Sequence, residues 1–423
     1  MRVSVAGLWH LGTVTAACCA HGGHDVTAFD EDSRVIEELR KGHLPVDEPG
    51  LAELTAAAVQ SGRLHFTSDA SALAESEVLW ICHDTPVDED DTADTEFVYT
   101  RVRNLLPYLP PQALVLISSQ LPVGSTTKLN EIRPELTFAY SPENLRLGKA
   151  IEVFTKPDRV VVGLHNGHGR ERIATLFAPF TDKIEWMSVA SAEMTKHALN
   201  AFLATSVAFI NEVATICEKT GADAQEVERG LKSDVRIGKG AYLHPGSAFA
   251  GGTLARDISF LVGLGKSHGI PTHLLKGVKE SNSAHNLWAR RRLSEIFGQL
   301  KGKDIAVLGL TYKPGTNTLR RSSSVEMCRW LVEQGSSVRA FDPAIKGLSG
   351  DLPGVQLAAS GELALDGADA TLIATPWPEL RSIPPQAFAQ RMRRAVVLDP
   401  ARHMESVLQG ENQIEYFAIG VSR

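Results

Sequence analysis

The stretch of this 423-residue chain whose residue types best suit chemistry runs from His244 to Asp257 and reads HPGSAFAGGTLARD. It contains three glycines, a proline beside the first glycine, and an Arg-Asp pair at its end. Glycine allows backbone conformations that other residues avoid and a close approach to a ligand. The pattern therefore predicts a loop that folds closely around a polar group.

Lys196 and Asn200 form a second candidate group, in an apolar segment from Ser191 to about Thr220. With Ser191 as an N-cap candidate and Gly221 as a stop, the segment predicts one long helix. The two side chains, four residues apart, would then share a face one turn from each other. An ammonium and an amide directed at one oxygen can stabilise a developing alkoxide. In an arbitrary sequence, this spacing favours the alternative of a solvated surface lysine.

The first thirty residues predict a nucleotide site. An apolar strand from Val3 to Ala6, a glycine turn, an alanine-rich helix and a strand ending at Asp30 form the βαβ unit of a dinucleotide-binding domain. Asp30 and the two acids after it would repel a 2′-phosphate, so NAD is favoured over NADP. Gly7 and Gly12 are present, but Trp9 takes the place of the middle glycine. A Rossmann-type domain with a lost or altered nucleotide site therefore stays open.

Short apolar strands that alternate with helical segments continue the pattern and predict a parallel sheet covered on both faces. The strand candidates are Val78 to His83, Leu114 to Ser118, Phe138 to Tyr140, Arg159 to Gly163 and Ile184 to Val189. Polar loops follow three of them, at the edge of the sheet where α/β folds bind ligands. These loops hold Thr85-Pro86, Ser119 to Gly124, and Ser141 to Arg146. Each taken singly is an ordinary turn.

After Gly302 the strand–helix pattern restarts with DIAVLGL, SVRAFDP, ATLIATPW and AVVLDP, which predicts a second Rossmann-like domain. Its first turn lacks a glycine fingerprint and carries Lys313, Arg320 and Arg321. A basic loop there suits a phosphate group other than that of a dinucleotide, and a surface turn is the alternative.

Between the two domains, one helix follows the glycine loop and another runs from about Pro271 to Leu300. This helical middle is apolar enough to pack between domains or against a second subunit, so we expect a homodimer or a multiple of it. The expected fold is α/β, with two Rossmann-like doubly wound parallel-sheet domains joined by a helical central region. The expected boundaries are 1–190, 191–300 and 301–423.

Composition narrows the class of protein. A hydrophobic content of 43% and a net charge of −7 indicate a globular protein without general affinity for nucleic acid or anionic membranes. The five cysteines have no CxxC spacing and indicate buried, reduced thiols of a cytosolic protein. No secretory signal and no uninterrupted apolar run near ~20 residues is present. A cytoplasmic protein without a metal site is expected.

In their order, these motifs resemble the UDP-glucose/GDP-mannose dehydrogenase family over nearly the whole chain. Besides the glycine loop and the N-terminal turn, the resemblance rests on LPVDEPGL (44–51), the Thr85-Pro86 turn, SPENLRLG (141–148), AEMTKHALNAF (192–202), NEVATIC (211–217), SDVRIG (233–238), GLTYKP (309–314), TPW (375–377) and LDPAR (398–402). The resemblance implies an NAD domain, a central dimerisation region and a C-terminal domain that binds a nucleotide diphosphate. It also implies oxidation of a sugar C6 alcohol to a carboxylate with two NAD.

The resemblance further implies roles for single residues. Glu143 matches a glutamate that activates the hydrolytic water, and Asp257 matches an aspartate that assists proton transfer. The expected catalytic residues are Glu143, Lys196, Asn200, Thr253 and Asp257. Those expected at the cofactor are Gly7, Trp9, His10, Leu11, Gly12, Asp30, Thr85, Pro86, Ser119, Arg256 and Arg320. Those expected at the substrate are Leu145, Arg146, Arg236, Tyr242, Gly246, Phe249, Gly251 and Lys313, with Arg236 reaching across the dimer.

Thr253 departs from the family, because it stands where the family has a cysteine nucleophile. The family's thiol adds to the aldehyde and passes through a thioester that water cleaves. A threonine hydroxyl is a far weaker nucleophile, since almost none is ionised near neutral pH. Three functions are compatible with this substitution. The first is a dehydrogenase that avoids a thioester and acts on a nucleotide-diphosphate sugar, with UDP as the expected nucleotide. The second is an epimerase that uses NAD transiently, and the third is a non-catalytic nucleotide-binding protein. We expect the first, ending at the aldehyde or oxidising its hydrate.

Overall fold

The computed structural model describes residues 1–86, 88, 93–143, 145–165, 167–249, 252–319, 322–348, 352–408 and 410–421. Two residues expected in the site, Gly251 and Arg320, lie outside this part of the chain. The chain forms two compact units, Met1–Leu199 and Asn200–Arg423.

The first unit is built on an eight-stranded sheet with the order β3-β2-β1-β4-β5-β6-β7-β8. Its strands are β1 Arg2–Ala6, β2 Asp25–Phe29, β3 Leu64–Thr67, β4 Val78–Ile81, β5 Leu114–Ile117, β6 Thr137–Tyr140, β7 Val160–Leu164 and β8 Ile184–Met187. Its helices are α1 His10–His21, α2 Ser33–Arg40, α3 Leu51–Gln60, α4 Thr95–Leu105, α5 Ser125–Ile132, α6 Ala150–Thr155, α7 Arg170–Phe177 and the start of α8 Val189–Thr220. Strands β4 (VLWI) and β5 (LVLI) are buried at every residue, as central strands covered on both faces should be.

The sheet confirms the expected doubly wound architecture, with one exception to its parallel pairing. Strands β6 and β7 pair antiparallel, with Ala139 opposite Leu164. The strand order reverses beside β1. The chain first adds β2 and β3 on one side of β1 and then returns to place β4 on its other side. The carboxyl ends of β1 and β4 therefore form the switch point at which open α/β sheets bind ligands. Strand β3 was missing from the sequence prediction.

In the second unit, helices precede another parallel sheet with the order β11-β10-β9-β12-β13-β14. After α8 come α9 Ala224–Ser233, α10 Thr253–Ser267, α11 His273–Asn286 and α12 Trp288–Phe297. The strands are β9 Asp304–Leu308, β10 Ser337–Phe341, β11 Val355–Leu357, β12 Ala370–Ile373, β13 Val396–Leu398 and β14 Glu415–Phe417. The remaining helices are α13 Ser323–Glu333, α14 Gly361–Ala364, α15 Pro385–Arg391 and α16 Glu405–Leu408. The prediction of a second Rossmann-like domain is thus confirmed.

Two details of the predicted helices were wrong. Helix α8 begins at Val189, and Ser191 is not its N-cap: the hydroxyl of Ser188 accepts the Ser191 N–H at 3.2 Å and caps the helix three residues earlier. The helix expected from Pro271 to Leu300 is two helices, α11 and α12, separated at Leu287. An apolar pattern that continues across such a break cannot reveal it.

Helix α8 is the one helix in the described ranges that is long and apolar enough to cross a membrane by length and composition. In its most apolar window, 44% of the residues are buried, and the core helix of a soluble protein meets the same criterion. The helix also carries Glu193, Lys196 and Asn200, which are buried and polar. Its length and composition are therefore weak evidence for a membrane span.

Candidate active site

The first unit contains a cleft of about 320 Å³ at the carboxyl ends of β1 and β4. Its walls include the turn from Gly7 to Trp9, Asp30 after β2, Pro86 after β4, and Phe97 and Arg101 of α4. The structure thus brings together four residues that the sequence predicts at the cofactor, namely Gly7, Trp9, Asp30 and Pro86.

The cleft fits a dinucleotide. Gly7 has a φ of 93°, and a Cβ there would lie 2.5 Å from His83 Nδ1, so the position requires glycine. Asp30 accepts the Leu8 N–H at 2.9 Å with Oδ2 and the Asp32 N–H at 3.0 Å with Oδ1. Each carboxylate oxygen has a further lone pair that can accept a ribose hydroxyl. Helix α1 has no side-chain cap, so its first amides remain available to a phosphate.

Trp9 does not distort this turn. Its φ of −90° and ψ of −151° are extended backbone that any residue adopts, and its side chain is 55% exposed. The middle position of the fingerprint therefore does not require glycine for its backbone conformation in this chain. The indole lies at the wall of the cleft instead.

The other expected cofactor residues have separate surroundings. His10 Nε2 is hydrogen bonded to the Glu48 carboxylate at 3.0 Å, whereas Leu11 and Gly12 are buried in α1. The Thr85 hydroxyl donates to the Gln120 carbonyl at 2.7 Å, which joins the loops after β4 and β5. Ser119 is buried, and its Oγ has no hydrogen-bond partner among the described residues. Arg256 belongs to α10 in the second unit.

His83 is a cleft residue that sequence reasoning counted only as the end of a strand. It is 8% exposed, and its Nε2 has no hydrogen-bond partner in the described part of the chain. Burial, and then the positive charge of Arg101, lower the pKa of His83 to about 4. The imidazole is therefore neutral near pH 7. A histidine two residues after β4, one of the strands at the switch point, is the signal that could have identified it.

Lys196 and Glu143, predicted as catalytic, are in direct contact. The Lys196 ammonium donates to the Glu143 carbonyl at 2.6 Å and to its Oε1 at 3.1 Å. Glu143 Oε2 accepts the Leu145 N–H at 3.0 Å. Because Lys196 is only 5% exposed, the alternative of a solvated surface lysine is wrong. Two of the three ammonium donors are used among the described residues, which leaves one for a substrate oxygen.

Two further side chains on α8 hold the loop after β5 and were missed in the sequence. The buried Glu193 carboxylate accepts the Gly124 N–H at 2.6 Å and the Thr126 N–H at 2.8 Å. The ring of His197 is hydrogen bonded through Nε2 to the Leu121 carbonyl at 3.0 Å. The first turns of α8 therefore fix two loops that follow neighbouring strands. Glu193 precedes Lys196 by three residues, a spacing that could have indicated its place on the same face.

In the second unit, Asn200 and Asp257 form a buried pair. The Asn200 amide donates to Asp257 Oδ2, and the two residues are 6% and 0% exposed. Thr253 is the exposed first residue of α10, and Asp257 follows one turn later on the same helix. The N-cap before Thr253 is Gly252, whose φ of 112° favours glycine.

Three side chains that the sequence analysis did not single out hold the glycine loop. Asn211 Oδ1 accepts the Gly246 N–H at 3.0 Å, and the ring of His285 bonds the Gly246 carbonyl through Nε2 at 2.8 Å. The Asn282 amide makes two hydrogen bonds with the backbone of Phe249, each of 2.9 Å. Burial lowers the pKa of His285, which favours the neutral ring as donor. The Asn-x-x-His spacing on α11 could have indicated that Asn282 and His285 lie on one face of the helix.

Several residues expected at the substrate have no hydrogen-bond contact with the glycine loop among those described. Arg236 is exposed and forms an ion pair with Asp234 at 2.7 Å. Tyr242 is 58% exposed, and Arg146 is also exposed. Leu145 is partly buried against the core, and Lys313 is half-buried in the turn after β9. Their roles in substrate binding stay predictions.

The cysteines are placed as expected. All five (Cys18, Cys19, Cys82, Cys217 and Cys328) are buried and unpaired, so no disulfide forms. Burial raises the pKa of every one of these thiols, to about 12 for Cys18 and Cys328. No buried thiol of this kind supplies a reactive thiolate near neutral pH. Within the described ranges no cluster of three or more His, Cys, Asp or Glu could hold a metal ion.

Comparison with known proteins agrees with this arrangement. Three domain models of the UDP-glucose/GDP-mannose dehydrogenase family match the chain in order: the NAD binding domain at residues 1–181, the central domain at 190–284 and the UDP binding domain at 306–406. The chain belongs to this family.

Individual members of the UDP-glucose/GDP-mannose dehydrogenase family are similar over nearly their whole length. A UDP-glucose 6-dehydrogenase of Rhizobium meliloti is 34% identical over 414 residues, which are 94% of each chain. One of Pseudomonas aeruginosa is 33% identical over 433 residues, 96% of this chain and 95% of that protein. The solved structure of a UDP-glucose dehydrogenase from Pyrobaculum islandicum has a TM-score of 0.87 and 29% identity, and the match covers 100% of this chain and 98% of that one.

Membership of the UDP-glucose/GDP-mannose dehydrogenase family confirms NAD as the cofactor and oxidoreduction of a nucleotide sugar as the class of reaction. The reading of the first domain as one that has lost its nucleotide is therefore not supported. In this structure Gly7, Asp30 and the α1 amides are the groups that would hold the dinucleotide.

Proposed function

We propose that this protein is an NAD-dependent dehydrogenase that oxidises the C6 alcohol of a nucleotide-diphosphate sugar, with a UDP-sugar as substrate, and that it does so without a cysteine thioester. The observation that carries the proposal is the position of Thr253, the exposed first residue of α10, one turn before the buried Asp257–Asn200 pair. The five cysteines of the chain are all buried. A polar site with hydroxyl, carboxylate and amide groups therefore lacks an available thiol.

The first oxidation needs a group that stabilises the alkoxide as the alcohol loses its proton. NAD, when bound, supplies the hydride acceptor. Lys196 is suited to the alkoxide because its ammonium is buried and fixed by two hydrogen bonds to Glu143, which leaves one donor unused among the described residues. A fixed positive donor in a site with little water stabilises developing negative charge far better than it would in solution. Asn200 lies one turn further along the same helix.

The fate of the aldehyde after the first oxidation determines the final product. Without a thiol, the aldehyde either leaves as product or is oxidised as its hydrate. Glu143 is the base we assign to the attacking water, because Lys196 and the Leu145 N–H hold its two carboxylate oxygens in a fixed orientation. Asp257, with one oxygen bonded to Asn200, is the group we assign to the remaining proton transfer.

The test is the stoichiometry of NADH. The protein is incubated with NAD and, one at a time, with UDP- and GDP-linked glucose, mannose and their N-acetylamino derivatives, and both NADH and sugar products are quantified. One NADH per sugar identifies an aldehyde product, two identify a carboxylate, and both support the proposal. Conversion of the sugar without NADH identifies an epimerase. Neither NADH nor conversion with any sugar, while NAD binds, leaves a nucleotide-binding protein and contradicts the proposal.

We also propose that the protein is a homodimer formed through α8. Phe202, Phe209 and Ile216 are 70%, 48% and 62% exposed. They recur every seven residues, so they form one apolar stripe along the helix. Large apolar side chains exposed in a row favour burial against a partner. The division into domains at 1–190, 191–300 and 301–423 and the cytoplasmic location remain our proposals from the sequence.

A further inference from the structure

The three consecutive acids after β2 have three different partners. Sequence reasoning treated Asp30, Glu31 and Asp32 as one negative patch that repels the 2′-phosphate of NADP. In the structure Asp30 accepts the Leu8 and Asp32 amides at 2.9 and 3.0 Å and lines the cofactor cleft. Only backbone N–H groups bond its carboxylate among the described residues, so its charge is not cancelled by a cation.

Asp32 is neutralised outside the cleft. Its Oδ1 caps α2 by accepting the Arg34 N–H at 2.9 Å, and its Oδ2 pairs with the Arg34 guanidinium at 2.8 Å. Arg34 is 87% exposed, and neither residue is among those that line the cleft.

Glu31 is neutralised at the cleft itself. Its carboxylate pairs with the guanidinium of Arg101 on α4. Arg101 lines the cleft together with Asp30, and its side chain is only 25% exposed. The guanidinium carbon lies 3.4 Å from the centroid of the Phe97 ring, so Phe97 supports the planar group from one face. The guanidinium of Arg101 thus lines the same cleft as Asp30 and is paired with Glu31.

An arginine near the ribose acid is what a Rossmann domain uses to accept a 2′-phosphate. Its planar fork forms bidentate, charge-assisted hydrogen bonds with phosphate oxygens. We propose that Arg101 is a latent 2′-phosphate-binding residue and that Glu31 sets the preference for NAD over NADP by occupying it. Asp30 contacts the ribose, Glu31 holds Arg101, and Asp32 has no part in cofactor selection.

The test compares two neighbouring acids by isothermal titration calorimetry with NAD and with NADP. Glu31→Gln keeps the size of the side chain but releases Arg101, and we expect its affinity for NADP to rise about tenfold while its affinity for NAD changes less than about threefold. Asp32→Asn removes the same unit of charge one residue away, and we expect no gain for NADP. Because exposed charges are screened by salt, the gain in Glu31→Gln should shrink between 50 and 500 mM NaCl.

Double variants test whether Arg101 is the group that binds the 2′-phosphate of NADP. Glu31→Gln combined with Arg101→Met should lose the gain for NADP, and combined with Arg101→Lys should keep part of it, since lysine retains the charge without the fork. Melting curves and NAD binding verify that each variant is folded. The proposal is overturned if Glu31→Gln gains no affinity for NADP, if Asp32→Asn gains as much, or if the gain survives Arg101→Met. Should Arg101→Met not fold, Arg101→Lys and Arg101→Gln make the same comparison.

Discussion

Asp30 and Asp342 follow the second strand of their respective sheets and accept the same backbone hydrogen bond, but Asp30 lines a cleft and Asp342 is buried. Asp30 accepts the Leu8 N–H at 2.9 Å, and Asp342 accepts the Leu310 N–H at 2.7 Å. Asp342 is 2% exposed because the Trp377 indole also donates to it, at 3.0 Å. Asp342 thus already accepts a side-chain donor from its own domain. The equivalent aspartates of the two domains therefore differ in role: Asp30 faces the cofactor cleft, and Asp342 forms hydrogen bonds inside its domain.

This difference predicts opposite effects of one substitution. Asp30→Asn should weaken NAD binding about tenfold or more, because a charge-assisted hydrogen bond contributes about 1.5–3 kcal/mol, and should leave the melting temperature nearly unchanged. Asp342→Asn should instead lower the free energy of unfolding by about 3 kcal/mol and leave NAD binding unchanged in the folded protein. Calorimetric titration with NAD and urea unfolding measure the two effects. A loss of NAD affinity in Asp342→Asn would contradict the assignment.

Restoring the thiol should shift the products. In Thr253→Cys we expect the fraction of carboxylate product, or its rate of formation, to rise, because a thiolate adds to an aldehyde far more readily than a threonine hydroxyl. Thr253→Ser keeps a hydroxyl and serves as the control, with no gain expected. Products are separated and quantified alongside NADH. If the product distribution of folded, NAD-binding Thr253→Cys equals that of the unaltered protein, the remaining site is not competent for the covalent route.

The contact between Lys196 and Glu143 predicts that substitutions of these two residues affect different oxidation steps. Lys196→Met should reduce kcat by about 100-fold or more, with little change in the Kd of NAD, since it removes the fixed positive charge at the alkoxide. Glu143→Gln should lower the yield of carboxylate more than the rate of the first oxidation. Lys128→Met, an exposed lysine on α5, is the control. Activity within about threefold of the parent in Lys196→Met would remove this residue from the mechanism.

His83 predicts a loss of stability in acid. Its pKa of about 4 in the folded protein lies below the value of about 6.5 in an unfolded chain. As the pH falls below about 6.5 the unfolded chain takes up the proton first, so stability falls until about pH 4, by about 3 kcal/mol in all. In His83→Asn this part of the decline should be absent. Urea unfolding at pH 7, 5.5 and 4.5 compares the two proteins, and parallel declines would show that His83 does not titrate as described.

The apolar stripe on α8 predicts the oligomeric state. Phe209→Glu should convert the dimer to a monomer at micromolar concentration, because it places a charge in the middle of the stripe. Val59→Glu changes an exposed apolar residue of α3 and should leave the dimer intact. Light scattering after size-exclusion chromatography gives the mass of each variant. A parent protein that elutes as a monomer, or a dimer that persists in Phe209→Glu, would exclude this interface.

The sequence by itself determined the two strand–helix patterns and their order, although β3 was not predicted. The run from Val3 to Asp30 specified a strand, a turn, a helix and a strand, and the repeat of that pattern after Gly302 specified the second sheet. These features depend on residues within a few positions of one another, where apolar periodicity and glycine act directly. The spacing of Lys196 and Asn200 was readable for the same reason. The start of α8 and the break at Leu287 were not, since they depend on single side chains and local geometry.

Only the tertiary structure decided which groups meet. Glu143 reaches Lys196 across 53 residues of chain, and Trp377 reaches Asp342 across 35. Whether Glu31 repels a phosphate or neutralises Arg101 likewise depends on the contact between Glu31, after β2, and Arg101 on α4. Such contacts arise when separate elements bury their apolar faces together and bring polar groups into hydrogen-bonding range, so no local pattern encodes them. The sequence shows that a threonine stands at position 253, whereas only the fold shows that all five cysteines are buried.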